Sequence, residues 1–150
     1  MKVSSTKVRE ALQKGDVHLA NDLLGYAYSL SGIVVKGDQL GRTLGYPTAN
    51  VATVDPFKLV PANGVYAVNV TLKDGVYQGM MSIGVRPTVV EAGERTIEVN
   101  LFNFERDIYG EPITVRVRHR MRDEIRFDGL DALKAQMAKD KIEAQRLLNA

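Results

Sequence analysis

Hydrophobic and polar residues alternate along most of this chain from Ile33 onward, which is the pattern of strands with one buried face. In Gly64–Leu72 every second residue is apolar. Further alternating runs occupy residues 76–85, 96–104 and 113–121. Several short strands at this spacing predict a mainly β fold, either a closed antiparallel barrel or a sandwich, instead of alternating strands and helices.

Two short polar segments join these predicted strands. Lys73-Asp74-Gly75 separates the first two runs and is typical of a tight hairpin turn. Residues 107–112, with the sequence DIYGEP, predict a second turn before the last strand.

Helical spacing appears at both ends of the chain. Residues 4–24 predict two short helices that are too small to bury a core of their own, so we expect them to pack on the remainder of the domain. Candidate N-caps are Ser4, Ser5 or Thr6 for the first helix and Asp16 for the second, with Gly15 and Gly25 as stops.

The C-terminal tail predicts one amphipathic helix that begins near Asp128, which is available as its N-cap. Asp131 lies in its first turn, where a negative charge favours the helix dipole. The predicted apolar stripe consists of Leu130, Leu133, Met137, Ile142 and Leu147 or Leu148.

Composition restricts the classes of function. The 150 residues suffice for one domain, the net charge is only +2, and no apolar run approaches the roughly 20 residues of a membrane span. Absence of cysteine fits a cytoplasmic location. Arg116, Arg118 and Arg120 alternate along one predicted strand without interleaved aromatic residues, which favours a solvated outer face over nucleic-acid binding.

The most unusual stretch is residues 37–50, GDQLGRTLGYPTAN. Its glycines allow a close approach of the backbone to a ligand, and basic residues lie beside them. Thr48 and Asn50 point to one side of an extended segment and offer oxygen ligands suited to Mg²⁺. From spacing alone, a glycine-rich connection whose Thr and Asn make turn hydrogen bonds remains an alternative.

This string, GDxxGRxLGxPTAN, closely resembles the phosphate-binding segment of riboflavin kinases, the kinase module of bacterial bifunctional riboflavin kinase/FAD synthetases. The resemblance implies a six-stranded Greek-key antiparallel barrel with a C-terminal helix and a short N-terminal helical arm. It also implies that Thr48 and Asn50 hold Mg²⁺ and the phosphates of ATP. A flap over the nucleotide would contain Lys36, Gly37, Gly41 and Arg42.

A second motif contains the candidate catalytic residue. In TIEVNLFNF, Glu98 shares one strand face with Asn100 and Phe102, while Ile97 and Val99 share the other with Leu101. An exposed strand carboxylate is the simpler interpretation of Glu98 from spacing alone. The stretch resembles the E-x-x-L-x-x-F strand of the family, which implies that Glu98 is the base acting on the ribityl 5′-hydroxyl.

Two further motifs match the family near its substrates. Tyr109 in DIYGE corresponds to a tyrosine beside the nucleotide, although a turn aromatic packed on the barrel is the alternative. Arg122, Glu124 and Phe127 in MRDEIRFDGL match a second flap that closes on the flavin, where the alternative is a solvated charged loop. One departure is visible, because Arg86 and Val89 replace the Asn and Phe of the family's NPTF.

The N-terminal SSTKVREAL is similar to a signature near the end of the adenylyltransferase domain of the bifunctional enzymes. Residues 1–24 are therefore interpreted as a helical arm, the remnant and connector of a missing adenylyltransferase domain, and residues 25–150 as the kinase barrel with its helix. FAD synthesis by this chain is not expected. A monomer is expected for the isolated module.

The resemblance thus implies an enzyme, a Mg²⁺-dependent kinase that converts riboflavin and ATP into FMN and ADP. The alternative from another class is a non-catalytic module that binds flavin as a ligand. It would bind flavin without ATP or Mg²⁺, and the intact PTAN and Glu98 argue against it.

Overall fold

The computed structural model describes residues 5–35, 48–55, 57–85, 95–125 and 127–150. Within these residues, six antiparallel strands close into a barrel in the order β1-β2-β5-β4-β3-β6. The elements are α1 (Ser5–Lys14), α2 (Val17–Leu24), β1 (Ser29–Val35), β2 (Thr48–Thr53), β3 (Gly64–Leu72), β4 (Gly75–Val85), β5 (Arg95–Leu101), β6 (Pro112–Arg122) and α3 (Leu130–Leu148).

The strand order is a Greek key. Strands β3, β4 and β5 follow one another around the barrel, and β6 returns to pair with β3 while β2 pairs with β5. Pairing of β1 with β6 completes the circle. The expected six-stranded Greek-key barrel is confirmed, and the sandwich alternative is excluded.

The β3–β4 hairpin agrees closely with the prediction. Leu72 pairs with Gly75, so Lys73 and Asp74 form a two-residue turn. Gly75 has a φ of 151°, a conformation that glycine adopts readily. The predicted apolar face of β3 points into the barrel, where Tyr66, Val68 and Val70 are fully buried.

Strand β5 is shorter than predicted, because it ends at Leu101 instead of Phe104. Asn103 takes a positive φ of 55°, which breaks the extended conformation and which Asn tolerates better than most residues. Phe102 remains buried outside the barrel, in a cluster with Met80 and Ala144 of α3.

Strand β6 departs from simple alternation, because its register with β3 shifts twice. Val68 pairs with Val117 and Tyr66 pairs with Arg120, so three residues of β6 lie opposite two of β3. The next residue of β3, Val65, pairs with Arg122, which is two residues further along β6. The predicted stripe of three alternating arginines is therefore wrong for Arg120. Its guanidinium contacts the Asn63 carbonyl and Asp123 at the end of the barrel instead of lying on the solvated face.

The N-terminal arm is held to the barrel. Asp16 caps α2 by accepting from the Leu19 N–H at 3.1 Å, and Gly25 ends it with a φ of 81°, both as predicted. Helix α1 begins at Ser5, so Thr6 is too late to be its cap, and Ser4 lies outside the described residues. Leu12 belongs to the same apolar cluster as the barrel interior.

Polar contacts reinforce this attachment. Asn21 donates to the Val117 carbonyl at 2.9 Å and accepts from the Tyr28 N–H at 2.8 Å. His18 Nε2 lies 2.7 Å from His119 Nδ1, which links α2 directly to β6. The arm therefore packs on the barrel, as its small size led us to expect.

Helix α3 lies against the outer face of β3, β4 and β6. Its N-cap is Gly129, which makes no side-chain cap bond, so the prediction that Asp128 caps it is wrong. Ile142 is 69% exposed and does not belong to the apolar stripe. It lies nine residues after Leu133, two and a half helical turns, and thus on the opposite side.

No helix within the described ranges is both long and apolar enough to cross a membrane.

Replacement of Leu12 by Ala is expected to lower the free energy of unfolding by about 2–5 kcal/mol, because it opens a cavity in the barrel core. Leu12 is 1% exposed, whereas Leu19 in the same arm is 46% exposed. Leu19→Ala is the control and should change the free energy much less in urea unfolding. Equal effects of the two variants would show that the arm is not part of the core.

The pKa of His119 is lowered from its ordinary value of 6.5 by burial, then by His18 and Arg118. On acidification, His119 is therefore protonated in the unfolded chain before it is protonated in the folded protein. The stability that is present above about pH 6.5 is lost as the pH falls. His119→Gln should flatten this acid dependence in urea unfolding measured from pH 7.5 to pH 5. An unchanged pH dependence in the variant would contradict the attribution of this loss of stability to His119.

Candidate active site

The register of β2 and β5 brings four polar residues together. Thr48 lies opposite Asn100, and Asn50 lies opposite Glu98. Residues directly opposite one another share a sheet face, so all four side chains belong to the outer face of the barrel. The intervening Val99 is fully buried on the inner face.

Strand β4 extends this polar face. Ser82 pairs with Glu98, and Met80 pairs with Asn100, so both add their side chains to the same side of the sheet. Glu98 is half-buried here, whereas the simpler interpretation of the sequence was an exposed carboxylate.

Helix α3 and the segment after β6 cover this face and leave a cavity of about 200 Å³. One side of the cavity is polar and the other is apolar. The polar lining residues are Thr48, Ser82, Glu98, Asn100, Arg122, Glu124 and Asp140. The apolar lining residues are Val65, Met80, Ile125, Phe127, Leu133 and Met137.

Asn100 orients the hydroxyl of Thr48. Its side-chain Nδ2 donates to Thr48 Oγ1 at 2.9 Å, and Asn100 is itself 8% exposed. Because the amide occupies one lone pair of the hydroxyl oxygen, the orientation of Thr48 is restricted by a buried partner. The sequence did not identify Asn100, although its place two residues after Glu98 on the same strand face could have suggested it.

Glu124 lies against the backbone of Gly84 on β4. A Cβ at Gly84 would overlap the Glu124 carboxylate, with Oε2 only 2.8 Å away. Glycine at this position therefore leaves room for the carboxylate at the edge of the cavity.

Arg122 forms a bidentate ion pair with Asp140 of α3. Arg122 Nη2 lies 2.7 Å from Asp140 Oδ2, and Nε lies 3.0 Å from Oδ1. Gln136 also donates to Asp140 Oδ1 at 2.9 Å. Asp140 is only 5% exposed, and its role was not visible in the sequence because it looks like one more charge on an amphipathic helix.

The structure thus brings five predicted site residues to one cavity: Thr48, Glu98, Arg122, Glu124 and Phe127. Asn50 is not part of the lining but is buried directly beside Glu98. Tyr109 does not reach the cavity and is 57% exposed. Its loop is joined to β1 by a hydrogen bond from the Gly110 N–H to the Val34 carbonyl at 2.8 Å.

The remaining predictions fall on residues that the structure does not describe. These are the candidate nucleotide flap residues Lys36, Gly37, Gly41 and Arg42, together with the departures Arg86 and Val89.

The oxygen atoms at this face suit Mg²⁺ bound together with a phosphate. Thr48 offers a hydroxyl, Asn50 an amide and Glu98 a carboxylate, all hard ligands on paired strands. The described residues contain no group of three or more His, Cys, Asp or Glu side chains that could hold a metal alone. Such a sparse set fits an ion that keeps water and substrate phosphates as its other ligands.

Comparison with known proteins identifies the family of the chain. The model of the Flavokinase family, which is described as riboflavin kinase, matches residues 24–148. The bifunctional riboflavin kinase/FMN adenylyltransferase of Bacillus subtilis is 47% identical over 97% of this chain and 46% of its own length. The protein of the same name from Escherichia coli K12 is 45% identical, again over 97% of this chain and 46% of its own length.

Two solved structures share the fold. A crystal structure described as a macrolide-efflux protein from Streptococcus pneumoniae aligns with a TM-score of 0.89 at 40% identity, covering 96% of this chain and 47% of its own. The riboflavin kinase of Trypanosoma brucei aligns with a TM-score of 0.54 at 25% identity, covering 81% of this chain and 79% of its own.

The six-stranded barrel has the fold of a riboflavin kinase. The chain belongs to the riboflavin kinase family. It spans about half the length of the curated relatives that it matches.

Gly84→Ala is expected to displace the Glu124 carboxylate with little change in the melting temperature, because the carboxylate is the flexible end of a side chain. Gly79→Ala is the contrasting variant, since a Cβ there would lie 2.5 Å from the backbone oxygen of Asn100. That backbone cannot move freely, so Gly79→Ala should lower the melting temperature. An equally lowered melting temperature in Gly84→Ala would show that the Glu124 carboxylate cannot move away from the added methyl group.

Proposed function

We propose that this chain is a riboflavin kinase that transfers the γ-phosphoryl group of ATP to the ribityl 5′-hydroxyl of riboflavin. One observation carries the proposal: residues from motifs far apart in sequence, on β2, β5 and the segment after β6, line one cavity. Membership of the family supports the same activity.

The lining of the cavity suits a flavin. An isoalloxazine ring needs apolar contacts on its faces, which Phe127, Met137 and Val65 offer. Its polar edge and the ribityl chain need hydrogen-bonding groups, for which we assign Glu124 and Arg122. This mixture of an apolar wall and a few convergent polar groups is typical of a cofactor-sized ligand site.

Glu98 is assigned as the base. Its carboxylate accepts the proton of the ribityl hydroxyl while that oxygen forms a bond to the γ-phosphorus. The bond from the γ-phosphorus to the bridging oxygen breaks, and ADP leaves with that oxygen. Orientation of the attacking hydroxyl is the main contribution that a protein makes to such a transfer.

Thr48 and Asn50 are assigned to the triphosphate and its Mg²⁺. The two residues belong to one strand beside Glu98, so the phosphates would lie next to the hydroxyl that attacks them. When bound, Mg²⁺ would neutralise charge on the phosphate oxygens. For the nucleotide we retain Lys36, Gly37, Gly41, Arg42 and Tyr109 as proposals that depend on the family resemblance.

The relatives from B. subtilis and E. coli carry the names of two activities, and this chain matches about half of their length. We propose that this chain alone makes FMN and not FAD, and that an adenylyltransferase domain is the partner of its kinase region in a full-length protein. A helical arm over residues 1–24, a monomeric state and a cytoplasmic location remain predictions.

The proposal is tested by incubating the purified chain with riboflavin and ATP, with and without Mg²⁺, and separating the flavins by chromatography. FMN formed only with Mg²⁺, and no FAD, is the expected result. Flavin that binds but is never converted would contradict the kinase and favour a flavin-binding module.

Glu98→Gln is expected to lower kcat by roughly 10²- to 10⁴-fold, the usual contribution of a general base, with riboflavin binding retained. Glu105→Gln, which changes an exposed glutamate in the turn after β5, is the matched control and should keep normal turnover. Full activity in Glu98→Gln would remove Glu98 from the catalytic role.

A further inference from the structure

We infer that Asp140 is a positioning residue of this active site, whose buried carboxylate fixes the Arg122 guanidinium at the flavin cavity. The inference depends on the proposed function and adds a residue to it. It rests on three observations: the geometry of the ion pair, the irregularity of β6, and the place of Asp140 on α3.

The ion pair holds the guanidinium in one orientation. Asp140 accepts from both Nε and Nη2 of Arg122, at 3.0 and 2.7 Å, in the fork geometry that makes Arg–carboxylate pairs directional. Arg122 Nη1 also donates to the Asp123 carbonyl at 2.9 Å. Of the five N–H groups of a guanidinium, these contacts use three, which leaves two as donors for a ligand in the cavity.

The backbone of β6 is shaped to aim Arg122 outward. Tyr66 of β3 pairs with Arg120, yet the adjacent residue of β3, Val65, pairs with Arg122, so Met121 is the additional residue of a bulge. Without the bulge, Arg122 would take the inward direction of Arg120, because side chains alternate along a strand. Bulges re-aim side chains in this way and are common beside active sites.

Asp140 occupies an apolar stripe of α3. It lies at helical spacing after Leu133 and Met137 and precedes the buried Ala144. Burial of an ion pair rarely increases stability over apolar residues of similar size, because both charges lose their hydration. A requirement to hold Arg122 in place accounts for a carboxylate here, whereas core packing does not.

The first test compares Asp140→Ala with Glu143→Gln. Glu143 forms an exposed ion pair with Arg146 on the same helix, so its variant is the matched control. Asp140→Ala is expected to raise the dissociation constant for riboflavin, measured by quenching of flavin fluorescence, by roughly 10- to 100-fold. The KM for ATP should stay within about twofold in both variants, and Glu143→Gln should bind riboflavin normally.

The second test separates positioning from a purely structural role. Asp140→Ala should weaken riboflavin binding no further when it is added to Arg122→Met, because its effect acts through Arg122. The double variant Arg122→Met/Asp140→Leu should keep a melting temperature near that of the unaltered chain but bind riboflavin as weakly as Arg122→Met alone. In this double variant the melting temperature is thus restored, whereas the affinity for riboflavin is not.

Other outcomes overturn the inference in distinguishable ways. Additive losses in the combined variant, or equal rises in the KM values for ATP and riboflavin, would show that Asp140 only stabilises the fold. Normal riboflavin binding by Asp140→Ala would show that Arg122 needs no partner. An unaltered chain that neither binds riboflavin nor forms FMN would instead defeat the proposed function itself.

Discussion

Closure of the barrel is the constraint on which the other features depend. Because the inner faces of the six described strands are filled by their own apolar side chains, a ligand the size of a flavin cannot enter the interior. The site must therefore form on the outside, where the polar face of β2, β5 and β4 is covered by α3. The pairing of Asn50 with Glu98 and of Thr48 with Asn100 belongs to one of the strand pairs that form this circle, in which β2 lies beside β5.

The cavity lies between two kinds of structure. Its polar floor consists of paired strands, which hold Thr48, Glu98 and Asn100 at fixed separations. Its cover consists of α3 and of Glu124, Ile125 and Phe127, none of which is paired in the sheet. In the proposed kinase, a floor of paired strands under a separately attached cover would let substrates enter without displacing Thr48, Glu98 or Asn100.

Much of this architecture could be predicted from the sequence, and the exceptions have physical causes. Alternation located β3, β4, β5 and β6 but not β1 or β2. Asp16 and Gly25 marked the limits of α2, because these signals are local. The ends of β5 and the bulges of β6 could not be predicted, since they depend on pairing with distant strands. Asp140 was missed for the same reason, because only its contact with Arg122 distinguishes it from other helix charges. The motifs did identify five residues that share the cavity, whereas Tyr109 lies elsewhere and the glycine-rich segment falls outside the described residues.

The circular pairing of the strands also bears on how the molecule behaves in a crowded solution. A sheet with open margins offers unpaired backbone groups to which another chain can add. Each of the six described strands already has a neighbour on both sides. Self-association by strand addition would first require one of those ladders to open, so this route to aggregation is closed as long as the barrel is intact.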